Sequence, residues 1–213
     1  MKNRMKFKKA RRPPQEVRDS ECFRSFEALA DSVLNDLYKQ FGHLEGLHMV
    51  CGPISRGGTR NLVYNMEILN AGIELKQAEG LEVFVQTVRE PDLWKLIESA
   101  WLATGHIGYC VWILTRYYLT VFKGGKRIKK QHPREKICII RHAWFVYGWK
   151  TSRGTRWERK ILRKLGTVIH DLSREDVRTA LERKFPHDPE HVELLMSLLP
   201  KPKKAKEPKQ KTA

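Results

Sequence analysis

The chain has 213 residues, of which 41% are hydrophobic and six are Trp, and its formal net charge is +17. This length and apolar content suit one folded domain with extensions and exclude a wholly disordered chain. No stretch reaches the roughly 20 uninterrupted apolar residues that a membrane helix needs, and no apolar stretch follows the basic N-terminus. We therefore expect neither a membrane anchor nor a secretory signal.

Four cysteines, Cys22, Cys51, Cys110 and Cys138, are widely spaced and form no CxxC pair. Three of them lie in apolar segments, where reduced and buried thiols are expected. Neither a disulfide framework nor a zinc site is indicated, and we expect no metal ion and no organic cofactor. A reducing compartment follows, and the cytoplasm is the expected location.

The positive charge is concentrated at the two ends of the chain. Residues 1–12 contain seven Lys or Arg and no acid, and residues 200–213 contain six Lys and one Glu, which leaves a surplus of +5 elsewhere. We predict a flexible basic arm at 1–14, a single domain at 15–199 and a flexible basic tail at 200–213. Such tails attract nucleic acid without reading its sequence, or they only aid solubility, and both alternatives stay open.

Apolar periodicity and turn residues divide the domain into alternating helices and strands. Helices are predicted at 20–41, 62–78, 91–103, 107–122, 153–165, 173–185 and 189–199. Strands are predicted at 47–51, 81–86, 137–149 and 167–172, with a bend or bulge at Arg141–His142. This alternation predicts an α/β fold with a mostly parallel sheet flanked by helices. The core would span 47–171, with the helices 20–41 and 173–199 beside it.

Ligands of such sheets bind beyond the carboxyl ends of the strands, and the loop CGPISRGG follows the first strand. Glycines allow close approach of the backbone to a ligand, while Ser55 offers a hydroxyl and Arg56 a forked donor. A loop of this kind before a helix suits a phosphate or a sugar. It is neither a Walker loop nor the GxGxxG fingerprint. The alternative is an ordinary Gly-rich connection with solvated arginines.

A second loop, GWKTSRGTRWE, follows the long strand and ends in Glu158. A carboxylate on the first turn of a helix that faces a ligand loop can act as a nucleophile or a general base. The alternative is a capping box, with Thr155 as the helix cap and Glu158 at its third position.

The pair CGPISRGG and GTRWE resembles the nucleoside 2-deoxyribosyltransferase superfamily, which includes deoxynucleoside-monophosphate N-glycosidases. The resemblance covers roughly residues 47–171 and implies a sheet of the Rossmann or flavodoxin type. It implies that Glu158 attacks the anomeric carbon of a nucleoside or nucleotide. The positions implied in substrate binding are Gly52, Pro53, Ser55, Arg56, Gly57, Gly58, Ser152, Gly154 and Thr155.

We therefore expect an N-ribosyl-bond enzyme, either a transferase or a hydrolase. Family members carry an acid near the nucleophile that helps to protonate the base, whereas no acid lies between Lys136 and Glu158 here. The first alternative is a non-catalytic nucleotide- or nucleic-acid-binding protein on the same fold, in which the tails and the segment 123–136, with seven Lys or Arg, hold a polyanion. The second is a structural or interaction protein. The base, the sugar and the formation of a homo-oligomer stay open.

Overall fold

The computed structural model of the protein describes residues 21–54, 57–104, 113–126, 130 and 138–201. Within these ranges, helices and strands alternate along the chain. The α-helices are α1 Glu21–Phe41, α2 Leu62–Ala78, α3 Glu90–Thr104, α4 Leu119–Phe122, α5 Arg153–Lys164, α6 Arg174–Lys184 and α7 Pro189–Leu198. The strands are β1 Leu47–Cys51, β2 Val83–Phe84, β3 Ile140–Phe145 and β4 Val168–Asp171. Two 3-10 turns, Gln86–Arg89 and Trp149–Thr151, and a π-helical segment, Ile113–Tyr118, connect them.

The four strands form one sheet in the order β2-β1-β3-β4, and every neighbouring pair is parallel. This arrangement confirms the predicted α/β fold. Strands β1 and β3 pair directly, with Cys51 opposite Phe145 at their last residues. The segments that follow these two strands therefore leave the sheet side by side, although about ninety residues separate them in sequence.

Helices α1 and α2 form where the sequence periodicity predicts them. The buried side of α1 presents apolar residues at three- and four-residue steps, namely Phe26, Ala30, Val33, Leu34 and Leu37. Burial of each large apolar side chain stabilises the fold by about 1.5–3 kcal/mol. Helix α2 begins at Leu62 because the Asn61 side chain accepts hydrogen bonds from the amides of Val63 and Tyr64, at 2.9 and 3.3 Å.

Apolar cores lie on both faces of the sheet. Along β1, Met49 and Cys51 belong to one core and Val50 to the other, because successive side chains of a strand point to opposite faces. The first core joins Met49 and Cys51 to side chains of α1, α4 and α5. The second joins Val50 to side chains of α2, α6 and α7. Helices therefore cover both faces, as the alternating pattern predicts.

Strands β2 and β3 are shorter than predicted. Strand β2 is restricted to Val83–Phe84, because it pairs with only two residues of β1 and the chain turns into a 3-10 helix at Gln86. Strand β3 ends at Phe145, and Gly148, with a φ of 90°, directs the chain into the turn Trp149–Thr151. Both strands are present, but their predicted bounds, 81–86 and 137–149, are therefore wrong.

The predicted irregularity in β3 is confirmed. Leu47 lies opposite Ile140, whereas its neighbour His48 lies opposite His142, so Arg141 is an extra residue in the ladder. The Arg141 side chain is exposed.

Several predictions fall on parts of the chain outside the described residues. These parts are the arm 1–14, the tail from 202 onward, residues 107–112 of the predicted helix 107–122, and residues 127–129 and 131–136 of the basic segment 123–136. Cys51 and Cys138, whose side chains the structure describes, are free thiols. In the described ranges, no helix combines the length and the apolar character needed to cross a membrane.

Candidate functional site

Two loops meet at the carboxyl edge of the sheet, the Gly-rich loop of residues 52–61 and the second loop of residues 146–152. The amide of Val146 donates to the carbonyl of Cys51 at 2.9 Å, which extends the β1–β3 pairing to the start of both loops. A Cβ on Gly52 would lie only 2.6 Å from Val146 Cγ2, so a side chain at position 52 would push the strand ends apart. Pro53 follows and is buried.

The loops are in direct contact through Gly57 and Gly58. The Gly58 amide donates a hydrogen bond of 2.6 Å to Thr151 Oγ1, and that hydroxyl donates to the carbonyl of Gly148 at 2.8 Å. Gly57 has a φ of 93°, and a Cβ there would lie 2.8 Å from Thr151 Oγ1 and 2.9 Å from the Ser152 amide nitrogen. The absence of a side chain at Gly57 therefore allows the close approach of one loop to the other.

Asn65, on the first turn of α2, forms hydrogen bonds with the Gly-rich loop. Its Oδ1 accepts hydrogen bonds from the Thr59 amide and the Thr59 hydroxyl, both at 2.9 Å. Its Nδ2 donates to the carbonyls of Ile54 and Gly57, at 2.9 and 3.1 Å. Asn65 is 3% exposed. Sequence reasoning missed it, although a polar side chain on the apolar side of a predicted helix is a signal that could have found it.

The second loop ends at the N-terminus of α5, where Ser152 is the helix cap. Ser152 Oγ accepts a hydrogen bond from the Thr155 amide at 3.3 Å, and Ser152 has the extended backbone typical of this position. The interpretation of Thr155 as the cap, with Glu158 closing a capping box, is therefore wrong. Thr155 lies inside the helix, because the chain becomes helical already at Arg153, just before Gly154.

Glu158 lies on the inner side of α5 and is only 7% exposed. In the described part of the chain, no group forms a hydrogen bond or an ion pair with its carboxylate. Burial without a partner raises the pKa of Glu158 to about 7, because removal from water penalises the charged form. Of the carboxylates in the described ranges, Glu158 is the only one that is buried.

Glu158 acts electrostatically on the end of β1. Burial, and secondarily the negative charge of Glu158, raise the pKa of the Cys51 thiol well above its ordinary value. Cys51 is the residue immediately before the Gly-rich loop. The negative charge of Glu158 therefore acts on Cys51, where the Gly-rich loop begins. We expect the Cys51 thiol to be protonated and chemically inert at neutral pH.

Arg159, which follows Glu158 in the sequence, contacts Asp171 and two aromatic rings. Its guanidinium forms a two-pronged ion pair with Asp171, at 2.5 and 2.9 Å. The same group lies 4.9 Å from the centroid of the Phe145 ring and 4.3 Å from that of Trp149. These contacts attach α5 to the ends of β3 and β4 and leave the neighbouring carboxylate without a cationic partner.

Gln86 is a further buried polar residue at the same edge, directly after β2. Its Nε2 donates to the Val50 carbonyl at 3.0 Å, whereas its Oε1 is buried and accepts no hydrogen bond from any residue that the structure describes. A buried amide oxygen without a partner is uncommon in folded proteins. Sequence reasoning missed Gln86, because the residue was assigned to the end of a strand.

The structure brings together most of the predicted site residues that it describes. Gly52, Gly57, Gly58 and Ser152 lie in or at the joint of the two loops, with Thr155 on the first turn of α5 and Glu158 on its second turn. The predicted contacts of Ser55 and Arg56 with a sugar or phosphate fall outside the described residues and stay predictions. The Gly58 amide is bonded to Thr151, so its predicted role as a ligand donor would require the loops to separate.

A separate cleft of about 280 Å³ lies at the opposite edge of the sheet, where the strands begin. Its lining includes Glu45, Arg141, Cys138 and Gly166. Burial raises the pKa of the Cys138 thiol, whose Sγ lies 3.3 Å from Thr167 Oγ1. This cleft shares no residue with the two loops.

Among the residues that the structure describes, no three His, Cys, Asp or Glu side chains are arranged to hold a metal ion. Neither a protein-family model, nor a curated protein, nor a solved structure matches the chain significantly.

Proposed function

We propose that the protein cleaves or transfers the N-glycosidic bond of a nucleoside or nucleotide, with Glu158 as the nucleophile. The observation that carries the proposal is a buried carboxylate, without a partner among the residues that the structure describes, on the helix that begins where the second loop ends. A buried carboxylate that forms no structural contact costs stability, so its position calls for a functional reason. The resemblance of both loops to those of nucleoside 2-deoxyribosyltransferases supplies that reason.

The pKa of Glu158 suits this chemistry at neutral pH. A pKa of about 7 leaves about half of the carboxylate ionised at neutral pH and keeps its basicity high. A nucleophile with this pKa is stronger than an exposed carboxylate, since nucleophilic strength rises with basicity.

The proposed reaction has two steps. In the first, an ionised oxygen of Glu158 bonds to the anomeric carbon, and the electron pair of the glycosidic bond leaves with the base. In the second, water or the nitrogen of another base displaces the carboxylate, which regenerates Glu158. Glycosidases usually use a second carboxylate to protonate the leaving group, and no second buried carboxylate is present in the described ranges. We therefore assign protonation of the leaving base to water.

The two loops have different roles in this proposal. The contact of Gly57 and Gly58 with Thr151 and Ser152 gives the site its shape. The polar contacts with the sugar and its 5′-phosphate are assigned to Ser55 and Arg56. Arg56→Ala is accordingly expected to weaken binding of monophosphates more than that of nucleosides, because the guanidinium pairs with phosphate.

The test is incubation of the full chain with ribo- and deoxyribonucleosides and their 5′-monophosphates, with and without a second free base, followed by chromatography of the products. We expect release or exchange of a base by the wild type and its loss in Glu158→Gln. Glu190→Gln, which neutralises an exposed acid on α7, is the matched control and should stay active. Intact-mass measurement after rapid quenching should show a sugar attached to the wild type and to Glu190→Gln, but not to Glu158→Gln. Base release by Glu158→Gln at the wild-type rate would refute the role of Glu158.

One observation favours a second candidate, a binding protein without catalysis. The absence of a second buried carboxylate from the described ranges removes the usual source of the leaving-group proton. Acid–base assistance typically contributes about 10²–10⁴-fold in rate, so a site without it could hold a nucleotide and turn it over slowly. Saturable nucleotide binding with no base release from any member of the panel would support this candidate.

A further inference from the structure

The exposed side of α5 carries basic side chains and no acid. Six of its twelve residues are Arg or Lys, and its one acid, Glu158, is buried on the opposite side. The exposed cations recur at three- and four-residue steps, so they lie along one side of the helix. We call this surface the α5 basic face; its residues are Arg153, Arg156, Lys160, Arg163 and Lys164.

Much of this charge is not neutralised within the described part of the protein. Arg159, the sixth cation of the helix, forms an ion pair with Asp171. In contrast, Lys160, Arg163 and Lys164 form no ion pair with any acid that the structure describes. The Nε of Arg156 donates only to the carbonyl of Ser152, on its own helix.

Helix stability does not explain the α5 basic face. Cations in the last turn, such as Arg163 and Lys164, favour the helix dipole, but Arg156 lies in the first turn, where cations are disfavoured. Like charges three and four residues apart also repel one another. The arrangement therefore costs helix stability unless an anionic partner binds to it.

A phosphate backbone suits the α5 basic face better than an anionic membrane surface does. A helix that binds membranes inserts its apolar side between the lipids. The apolar side of α5 is occupied instead, because Leu162 is fully buried and Ile161 and Leu165 pack against the same core. Arg side chains, in addition, match the geometry of phosphate groups.

We propose that the α5 basic face binds the phosphate backbone of a nucleic acid strand. A helix of twelve residues is roughly 18 Å long, which matches about five phosphates along one strand of a duplex. Binding of this kind reads no base and weakens as salt rises. The proposal does not depend on the chemistry of Glu158, and it places the contact on a folded helix rather than on the basic tails.

The test compares two triple variants of the full chain, both with the tails in place. The first, Lys160→Gln/Arg163→Gln/Lys164→Gln, removes three charges from the α5 basic face. The second, Lys39→Gln/Lys95→Gln/Arg183→Gln, removes three exposed charges from other helices and is the matched control. Fluorescence anisotropy with a labelled single-stranded DNA of mixed sequence is recorded between ~50 and ~200 mM salt, the range over which such contacts weaken.

We expect the first variant to bind roughly tenfold or more weakly at ~50 mM salt, and its salt slope to fall by about 2, because each lost phosphate contact contributes about 0.7 on single strands. The control should keep the wild-type slope. A variant with Lys160→Arg/Lys164→Arg should keep full affinity, and circular dichroism should be unchanged in all variants. Equal slopes for the two triple variants would overturn the proposal, as would wild-type binding that is tighter to phosphatidylserine vesicles than to DNA. Absence of DNA binding by the wild type at ~50 mM salt would also overturn it.

Discussion

Gly58 and Thr151 lie 93 positions apart in the chain and are joined by a hydrogen bond of 2.6 Å from the Gly58 amide to the Thr151 hydroxyl. Because the same hydroxyl donates to the Gly148 carbonyl, one side chain links both loops of the candidate site. The contact is possible only because β1 and β3 are neighbours in the sheet.

Thr151→Val should therefore loosen the joint of the loops without altering the core. The substitution keeps the shape of the side chain and removes the hydroxyl that makes both hydrogen bonds. We expect the free energy of unfolding in urea to fall by about 1 kcal/mol, the usual net contribution of such bonds. Thr151→Ser, which keeps the hydroxyl, should be close to the wild type. Equal stability of all three proteins would show that the link is not formed in solution.

Asn65→Ala should cost more than Thr151→Val. Asn65 is buried and makes four hydrogen bonds with the Gly-rich loop, so its truncation leaves partly buried polar groups of that loop unpaired. We expect a loss of about 3 kcal/mol in the free energy of unfolding, since each unsatisfied buried group costs about 1–3 kcal/mol. Asn70→Ala, on the same helix, removes a single hydrogen bond with Thr87 and should cost less than half as much. A larger loss for Asn70→Ala would contradict the assigned role of Asn65.

If Glu158 is the nucleophile, any release of base by the protein should depend on the pH through the ionisation of that residue. Only the charged carboxylate attacks, and burial raises its pKa to about 7. We therefore expect kcat/KM for base release to rise about tenfold per pH unit below ~7 and to level off above it. A profile that instead falls above pH 7 would indicate that Glu158 donates a proton.

Glu158→Gln should stabilise the fold at alkaline pH, in contrast to most substitutions of buried residues. The pKa of Glu158 is raised in the folded state, so the penalty for its ionisation is absent below ~4.5 and fully present above ~7. We expect Glu158→Gln to gain up to roughly 3 kcal/mol at pH 8 relative to the wild type and little at pH 4. Chemical denaturation at both pH values tests this. Loss of stability at pH 8 would mean that the carboxylate makes a stabilising contact.

A stack of aromatic rings lies on the face of the sheet that α2 covers. Its histidines should make the stability of the fold decrease in acid. His48 and His142 stack at 4.7 Å, His142 Nδ1 lies 3.0 Å from His170 Nε2, and His170 stacks on Trp144 at 3.9 Å. The ammonium of Lys76 lies 4.0 Å from the centroid of the Trp144 ring, and Trp144 Nε1 donates to His48 Nδ1 at 3.3 Å. Burial in the first place, and the nearby cationic groups in the second, lower the pKa of His48 and of His170.

The direction of the effect follows from those lowered pKa values. The stability that neutral His48 and His170 contribute is fully present above ~6.5 and is lost as the pH falls below that value, because the unfolded chain takes up protons first. We expect the urea midpoint to decrease between pH 7 and pH 5, and His48→Gln/His170→Gln to reduce this decrease. His187→Gln, at an exposed position, is the control and should not alter it. An unchanged pH dependence in the double variant would refute the assignment.

The sequence alone determined the features that are encoded within single segments. Helix α2 begins and ends at the predicted residues because Asn61 caps it and its periodicity stops before Gly80. Four strands that alternate with helices were sufficient to predict a parallel sheet. These features depend on neighbours a few positions apart, which one segment contains.

The tertiary structure decided everything that depends on distant partners. The short length of β2 follows from its pairing with β1. The role of Asn65 can be seen only in the assembled fold, where its side chain forms hydrogen bonds with the Gly-rich loop. The raised pKa of Glu158 likewise requires its burial under residues from other segments. A local pattern can show that a residue is acidic or polar, but solvent exclusion is created by contacts between segments about a hundred positions apart, and these form only in the assembled fold.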